Sequence, residues 1–239
     1  SRDGGISEPA GAARDEVADA ADFAELLEDH VAAWRRLWER NHVHLTAGDA
    51  SAGVLLAMHS FHLVQTASPY LGDLDAGVGA RGLHGEGYRG HVFWDELFVH
   101  RVLVLHQPEV SRSLLLYRYR RLEQARRAAR AGGCRGAMFP WQSGSDGREE
   151  TPAVLFNLRS GQWMPDRSAR QRHVGLAIAY SVWQYVQATG DEGFLLRYGA
   201  ELMLEIARFF ADLCREDPAS GRFGITGVMG PDEFHDGYP

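Results

Sequence analysis

The chain has 239 residues, of which 45% are hydrophobic and 10% aromatic, so it can bury a substantial core in one or two domains. Its formal net charge of -7 excludes the excess positive charge that nucleic acid or an anionic membrane surface requires of a partner. The two cysteines are too few for a disulfide framework, and neither a long apolar run nor a signal peptide is visible. We therefore expect a globular cytoplasmic protein with no membrane span and no nucleic-acid partner.

Apolar residues at three- and four-residue steps predict a series of amphipathic helices. The first is expected from Asp15 to about Arg40, where Val17, Leu27 and Trp34 belong to the apolar stripe. Further helices are predicted over residues 50–67, 94–106, 109–131, 169–189 and 191–215. The first fourteen residues are expected to form a flexible lead-in.

The boundary between the last two predicted helices is marked by Gly190 and Asp191. Glycine adopts the left-handed conformation that closes a helix, and an aspartate carboxylate accepts hydrogen bonds from the first amides of the next helix. Two helices joined in this way form a tight antiparallel hairpin. Because no run of alternating residues competes with this pattern, the predicted fold class is all-α, built from helical hairpins.

Three segments are too long for ordinary connections, namely residues 68–93, 132–167 and 216–239. Long segments in compact domains carry function or remain disordered. Aromatic residues such as Tyr88 and Trp163 oppose disorder, because an aromatic ring is costly to leave in a solvated chain. We therefore expect these segments to fold over a site.

The segment GEGYRGHVFWDE, residues 85–96, places glycines, aromatic residues and carboxylates at the start of a predicted helix. A sugar ring offers an apolar face that stacks on tryptophan and hydroxyls that bind carboxylate oxygens, so Trp94 and Asp95 are candidates for binding glucose. The alternative is that Asp95 caps the helix and Trp94 packs in the core. A phosphate-binding glycine loop is a weaker alternative, because no strand precedes these glycines.

The segment AMFPWQSGSDGREETP, residues 137–152, again combines an aromatic residue with acids in a turn-rich loop. Trp141 is a candidate for covering a second sugar ring. Glu149 and Glu150 lie close to it in sequence, but adjacent glutamates are more often solvated or placed in the first turn of a helix.

His173 lies near the start of a predicted helix, and among the histidines on helices it is the one expected to reach the cavity. His59 and His62 share another helix. A histidine on a partly apolar helix face is more often a core residue. A substrate-binding role for His173 is therefore predicted against that commoner alternative.

The segment GPDEFHD, residues 230–236, concentrates ionisable residues in a loop. Acid-catalysed cleavage of a glycoside needs a carboxylic acid that stays protonated near neutral pH, and partial burial raises the pKa of a glutamate in that direction. Asp232 and Glu233 both qualify, and a plain surface turn is the alternative. A metal site here, or at His42 and His44, is disfavoured because neither has the spacing of a known closed site.

Taken in order, three stretches resemble glycoside hydrolase family 65: GEGYRGHVFWD at 85–95, FPWQS at 139–143 and GPDEFH at 230–235. The resemblance extends from about residue 20 to the end of the chain, and three motifs in one order are more specific than any single motif. It implies a catalytic (α/α)6 barrel whose loops form a sugar pocket on one face. The family consists mostly of phosphorylases of maltose, trehalose, kojibiose or nigerose, with some hydrolases.

The resemblance also implies roles for individual residues. Glu233 would be the general acid, and Trp94 and Asp95 would hold the glucose at the cleaved end. Trp141 and Glu149 would lie on the side of the leaving sugar. In the phosphorylases, inorganic phosphate is the co-substrate that attacks the anomeric carbon with inversion, and no cofactor or metal is expected.

The chain departs from the family pattern because it ends just after Glu233 and carries about half of the helices that the barrel needs. We expect residues 1–14 to be a lead-in and residues 15–239 to be the first part of the barrel. The expected partners are the remainder of the same enzyme, a second copy in a homodimer, and an α-linked glucose disaccharide.

The expected function is inverting phosphorolysis of that disaccharide to β-glucose 1-phosphate. An inverting α-glucosidase of the same family and an inactive carbohydrate-binding fragment are the alternatives. The 239-residue chain alone is expected to be inactive.

Overall fold

A computed structural model describes residues 9–46, 50–72, 74–83 and 87–231 of the chain. Asp232 and Glu233, the two candidates for the general acid, lie outside these described residues, as do Gly85 and Glu86 of the first motif. The helices are α1 (Pro9–Ala18), α2 (Phe23–Asn41), α3 (Ala50–Thr66), α4 (Glu96–His106), α5 (Pro108–Arg120), α6 (Leu122–Ala131), α7 (His173–Thr189), α8 (Glu192–Phe194) and α9 (Ala200–Leu213). Further helical turns lie at Pro69–Gly72, Tyr88–Gly90, Ser168–Arg170 and Leu195–Gly199. The prediction of an all-α fold class is confirmed.

Two of the predicted helices are interrupted by non-helical residues, whereas the helix predicted over 191–215 continues through α8, the turn at Leu195–Gly199 and α9. The helix expected over residues 15–40 is interrupted because Asp22 starts a new one, with an extended backbone and a carboxylate that accepts a hydrogen bond from Glu25 N at 3.0 Å. The helix expected over residues 109–131 is interrupted at Arg121, whose φ of -102° and ψ of 8° are not helical. Apolar periodicity continues across both breaks and therefore does not reveal them.

Two short β-hairpins have no counterpart in the predicted elements. β1 (Val154–Asn157) pairs antiparallel with β2 (Gln162–Pro165), and β3 (Arg215–Asp217) pairs antiparallel with β4 (Arg222–Gly224). Strands of three or four largely exposed residues carry no alternation of polar and apolar positions that a sequence pattern can detect.

The main hydrophobic core lies where α5, α7 and α9 pack together, with α4 against α7. Leu115 of α5, Val182 of α7 and Leu202 of α9 are buried in it. Gly136 allows the chain after α6 to approach α9 closely, because it has a φ of 80° and a β-carbon there would clash with the carbonyl oxygen of Glu205. Full burial of an aliphatic side chain stabilises a fold by about 1.5–3 kcal/mol, so this core holds the helices together.

The connection between α7 and α8 is the one that Gly190 and Asp191 predict. Gly190 ends α7 in the left-handed conformation, with a φ of 67° and its N–H donated to the carbonyl of Val186. The Asp191 carboxylate accepts hydrogen bonds from Phe194 N at 2.8 Å and from the Tyr185 hydroxyl at 2.9 Å. This prediction is confirmed.

The N-terminal helices contact the rest of the chain less extensively. Trp34 of α2 stacks on Phe61 of α3, with ring centroids 4.8 Å apart. His106 Nδ1, at the end of α4, donates to the carbonyl of Arg40 at 2.7 Å. Residues 9–14 lie in α1, where a flexible lead-in was expected. No helix in the described ranges is long and apolar enough to cross a membrane.

Candidate active site

A cavity of about 440 Å³ opens between the loop that precedes α4 and the segment that connects α6 to α7. Its volume is typical of small-molecule sites, which range over about 300–1,000 Å³. It is lined by Ala80, Tyr88, Arg89, Phe93, Trp94, Asp95, Trp141, Gln142, Thr151, Pro152, Leu155, Asp166 and Ser168. Trp94, Asp95 and Trp141, all predicted to bind substrate, therefore line one cavity.

The cavity wall consists mainly of two segments, the first site loop (residues 87–95) and the second site loop (residues 137–152). Val92 and Ser143 join the two loops by exchanging both backbone N–H···O bonds, each 2.9 Å long. Arg89 Nη2 adds a hydrogen bond to the carbonyl of Glu150 at 3.1 Å. The relative position of the two loops is therefore fixed by direct hydrogen bonds.

The first site loop begins with a left-handed turn at Tyr88, Arg89 and Gly90, whose φ angles are 55°, 55° and 69°. Glycine adopts this region readily, but a residue with a β-carbon pays about 1–2 kcal/mol for it. Such strain persists only where the surrounding contacts enforce it. The turn places both Tyr88 and Arg89 on the cavity wall.

Trp94 and Asp95 immediately precede α4. Asp95 has a helical backbone, with φ -55° and ψ -25°, and its side chain makes no capping hydrogen bond, so the alternative that it only caps the helix is wrong. Trp94 has two roles, because it is half-buried against the main core and also lines the cavity. Glucose binding by this pair stays a prediction.

His173, the first residue of α7, packs against both tryptophans of the site. Its ring centroid lies 4.7 Å from that of Trp94 and 5.1 Å from that of Trp141, with steeply inclined ring planes. Edge-to-face contacts of this kind favour one relative orientation of the rings. His173 is not among the residues that line the cavity, so its contact with a sugar stays a prediction.

Glu149 organises the backbone of the second site loop. Its carboxylate accepts hydrogen bonds from Trp141 N at 2.8 Å and Gln142 N at 3.1 Å, and from the N–H and hydroxyl of Thr151 at 3.2 and 2.7 Å. Glu149 is nevertheless exposed to solvent, as adjacent glutamates often are, and it does not lie in the first turn of a helix. Its predicted place beside the leaving sugar stays a prediction, because Glu149 does not line the cavity.

The second site loop is also attached to the end of α5. The Tyr117 hydroxyl lies 2.8 Å from Ser143 Oγ, and the Arg121 guanidinium lies over the Tyr117 ring at 3.7 Å. Arg121 also donates to Asp75 Oδ1 at 2.8 Å and to the carbonyl of Ser145 at 2.5 Å. Burial raises the pKa of Asp75, but hydrogen bonds from the arginines outweigh burial and hold that pKa below its ordinary value.

His100 of α4 is a buried histidine close to the site. Its Nδ1 lies 2.7 Å from Ser111 Oγ. Burial, followed by the charge of Arg118, lowers the pKa of His100 to about 3, so its ring is neutral near pH 7. In the part of the chain that the structure describes, no group of three or more His, Cys, Asp or Glu residues is arranged to hold a metal ion.

Arg89 and Asp166 both line the cavity, although neither was predicted from the sequence as a site residue. Asp166 Oδ1 accepts a hydrogen bond from Ser168 N at 2.8 Å, the local turn that an aspartate two residues before a serine favours. That short pattern is the only signal for Asp166 in the sequence. Arg89 lies inside the first motif, but its left-handed backbone is not visible from its neighbours in sequence.

The chain that leads to Asp232 and Glu233 is anchored beside α7. Met229 is buried, and its N–H donates to the carbonyl of Arg170 at 3.2 Å. Met229 also pairs with Gln171 in an isolated parallel bridge, two residues before His173. The last described residues therefore lie near the end of α7 that contacts the two tryptophans.

The chain matches known proteins over most of its length. The family description "Glycosyl hydrolase family 65 central catalytic domain" matches residues 57–238. An uncharacterized glycosyl hydrolase of Mycobacterium tuberculosis is 57% identical over 223 residues, covering 93% of this chain and 17% of that protein. The trehalose 6-phosphate phosphorylase of Lactococcus lactis is 42% identical, covering 92% of this chain and 29% of that protein. The kojibiose phosphorylase of Caldanaerobacter subterraneus is 41% identical, covering 90% of this chain and 28% of that protein.

A solved structure shows the same fold. It is a chain assigned as a kojibiose phosphorylase from the human microbiome, with a TM-score of 0.72 and 23% identity over 92% of this chain and 27% of that one. The present chain thus spans between 17% and 29% of the length of the three sequence relatives.

Proposed function

The chain belongs to glycosyl hydrolase family 65, and from this premise we propose that it supplies the sugar-binding loops and the general acid of an inverting α-glucoside phosphorylase. The resemblance drawn from three motifs in order is confirmed. The observation that carries the proposal is the single cavity that Trp94, Asp95 and Trp141 line together. Aromatic faces beside a carboxylate suit a pyranose ring, which has an apolar face and a rim of hydroxyl groups.

In the proposed reaction, Glu233 protonates the glycosidic oxygen while the bond from that oxygen to the anomeric carbon breaks. A phosphate oxygen forms the new bond to the anomeric carbon from the opposite face, giving β-glucose 1-phosphate and the released sugar. Trp94 and Asp95 hold the glucose so that the reacting bond has a fixed orientation. One protein acid suffices, because phosphate replaces the base-activated water of an inverting hydrolase.

The anchoring of Met229 supports the choice of this loop for the general acid. Met229 precedes Glu233 by four residues and is bonded beside Gln171, close in sequence to the ring of His173. The family match extends to residue 238 and so includes Glu233. Partial burial beside an apolar neighbour would raise the pKa of the carboxyl group and keep it protonated.

The proposed substrate is an α-linked glucose disaccharide. Three relatives are named as phosphorylases of kojibiose, trehalose 6-phosphate and 1,2-α-glucosylglycerol. These three compounds have an α-glucosyl group in common and differ in the group attached to it. This pattern supports a conserved chemistry at the glucose side, where we place Trp94 and Asp95, with specificity set on the side of Trp141 and Glu149.

A hydrolase is the second candidate, and Asp166 is the observation that favours it. An inverting hydrolase needs a second carboxylate to activate water, and Asp166 is a carboxylate on the cavity wall besides Asp95. Asp166 already accepts a hydrogen bond from Ser168 N, which gives it a structural task. We therefore place hydrolysis behind phosphorolysis.

Phosphate dependence separates the two functions. The full-length protein is incubated with kojibiose, trehalose, trehalose 6-phosphate or maltose, with and without inorganic phosphate, and the products are followed by proton NMR. Phosphorolysis predicts β-glucose 1-phosphate only when phosphate is present. Release of free glucose that phosphate does not change would replace the proposal with hydrolysis, and no turnover of any of these substrates would contradict both functions.

We also propose that further parts of the same protein cover a groove between α4 and α7. Leu105 and Trp183 line this groove and are 72% and 49% exposed. Large exposed apolar patches mark interfaces, and the relatives are several times longer than this chain. Oxidative labelling of Trp183 should be weak in the full-length protein, and strong labelling would contradict this assignment. The homodimer and the cytoplasmic location stay predictions.

A further inference from the structure

We propose that Arg118 of α5 is a positioning residue for the glucose-binding pair Trp94 and Asp95. It acts through two neighbours of that pair, the carbonyl of Phe93 and the carboxylate of Glu96. The inference rests on the proposed function, because it concerns how the same glucose-binding side chains are held in place.

Arg118 contacts the backbone on both sides of the pair. Its Nη2 donates to the carbonyl of Phe93, the residue before Trp94, at 2.9 Å. Its Nε and Nη2 donate to Glu96 Oε2, on the residue after Asp95, at 3.0 and 2.8 Å. One guanidinium therefore holds the chain immediately before and immediately after the two side chains that would bind glucose.

The contact is buried, and two of the three guanidinium nitrogens of Arg118 donate hydrogen bonds in it, whereas Nη1 has no partner among the described residues. The side chains of Arg118 and Glu96 are only 2% and 6% exposed. The second carboxylate oxygen, Glu96 Oε1, accepts a hydrogen bond from Val78 N at 3.1 Å. Charge-assisted hydrogen bonds in such surroundings are short and directional, so a small movement of the chain before α4 breaks them.

An arginine is required for this geometry. Its planar guanidinium presents several N–H donors in fixed directions, so it can bind a carboxylate and a carbonyl at the same time. A lysine carries the same charge on a single flexible ammonium group. Arg118→Lys therefore preserves the charge beside Glu96 but not the simultaneous bond to Phe93.

A purely structural role is the alternative to positioning. Replacing both members of a buried ion pair by uncharged groups is often neutral for folding, whereas removing only one leaves an uncompensated buried charge. The double variant Arg118→Met with Glu96→Gln removes both charges and retains an oxygen acceptor for Val78 N. It separates the effect on folding from the effect on Trp94 and Asp95.

A matched control is available on α6. Arg126 bridges to α9 through Glu201 at 2.7 Å and Glu205 at 3.2 Å, and none of these residues lines the cavity. Arg126→Met removes an arginine–carboxylate network that is more exposed than that of Arg118, since the Arg126 side chain is 26% exposed, and that involves no residue of the cavity wall. It should lower the melting temperature without altering the binding of sugar.

The experiment uses the full-length protein. D-glucose is titrated calorimetrically into the wild type and the variants, melting temperatures are recorded, and KM and kcat are measured on the disaccharide that the wild type cleaves fastest. The double variant should melt close to the wild type yet bind glucose about tenfold or more weakly and show a raised KM, because the pair is no longer held in its binding geometry. Arg118→Lys should change binding in the same direction.

Unchanged glucose affinity in the folded double variant would overturn the positioning role and leave the proposed function standing. If the double variant does not fold, Arg118→Lys decides, since wild-type affinity in that variant also overturns the inference and weaker affinity supports it. A wild type that neither binds glucose nor cleaves any α-glucoside would overturn the proposed function, and the inference with it.

Discussion

The two site loops and the hairpin of α7 and α9 are both packed into the protein, but different interactions hold them. In the hairpin, backbone groups bond within each helix and apolar residues such as Val182 and Leu202 fill the interface. In the site loops, backbone bonds such as those between Val92 and Ser143 are few, and side chains bind other backbone groups, as when the Glu149 carboxylate accepts hydrogen bonds from the N–H groups of Trp141 and Gln142.

This difference separates stability from function. A loop whose backbone is bonded by side chains can present a tryptophan or a carboxylate without regular structure, but its shape then depends on a few polar residues. Changes in the site loops should therefore alter the binding and turnover of sugar more than stability, and changes in the hairpin should alter stability alone.

Asp95→Ala has the largest expected effect within the described residues. In the full-length protein it should lower kcat/KM by at least about a hundredfold, because binding energy from the glucose hydroxyls no longer orients the reacting bond. The melting temperature should change little. Asp146→Ala is the control, since Asp146 lies in the second site loop but pairs with Arg148 and does not line the cavity. Equal losses of kcat/KM in both variants would contradict the assignment of Asp95 to glucose binding.

Glu149→Ala tests the side-chain support of the second site loop. It leaves the N–H groups of Trp141 and Gln142 without their acceptor, which costs about 1–3 kcal/mol when such groups are buried. We expect a moderately lower melting temperature and a KM raised about tenfold. Glu150→Ala is the matched control, because the hydrogen bonds described for Glu150 run through its backbone. A lower melting temperature with unchanged KM would show that the loop does not shape the site.

Asp191→Asn has the smallest expected effect and should leave glucose affinity unchanged. The Phe194 N–H holds the pKa of Asp191 below its ordinary value of 3.8, with burial opposing and the Tyr185 hydroxyl and Arg112 assisting. A lowered folded-state pKa contributes stability above the ordinary pKa, and that contribution is lost as the pH falls through the folded-state pKa.

Because asparagine is also a good cap, the free energy of unfolding of the wild type should exceed that of Asp191→Asn by no more than about 1 kcal/mol at pH 6. The difference should shrink below pH 3.8. Denaturant unfolding across this pH range measures it. A difference that does not depend on pH, or a changed glucose affinity, would contradict the comparison between loops and hairpin.

The hairpin could be predicted because its signals are local. Gly190 and Asp191 determine the end of one helix and the start of the next through contacts within a few residues. Trp94, Asp95 and Trp141 could also be selected, because their residue types suit sugar and the three motifs resemble a known family. The cavity that joins them depends on the fold.

The support of the site could not be predicted, because it is long-range. Arg118 donates a hydrogen bond to Glu96, 22 residues away in sequence, and Arg121 donates one to Asp75, 46 residues away, so no local pattern connects the partners. In the sequence these arginines look like ordinary polar residues of a predicted helix. The two β-hairpins were missed for a different reason, because their strands are too short to show periodicity.

The most direct test of the account compares Glu233→Gln with Asp232→Asn in the full-length protein. Each variant is assayed with phosphate on the disaccharide that the wild type cleaves and on α-glucosyl fluoride, whose leaving group needs no protonation. Loss of the general acid should slow disaccharide cleavage by Glu233→Gln about a hundredfold to ten-thousandfold while the fluoride reacts at nearly the wild-type rate. Asp232→Asn should lower the rate of disaccharide cleavage less, and its rate relative to the wild type should be no higher on the fluoride than on the disaccharide. The reverse pattern, with rescue of Asp232→Asn alone, would contradict the account and assign the acid to Asp232.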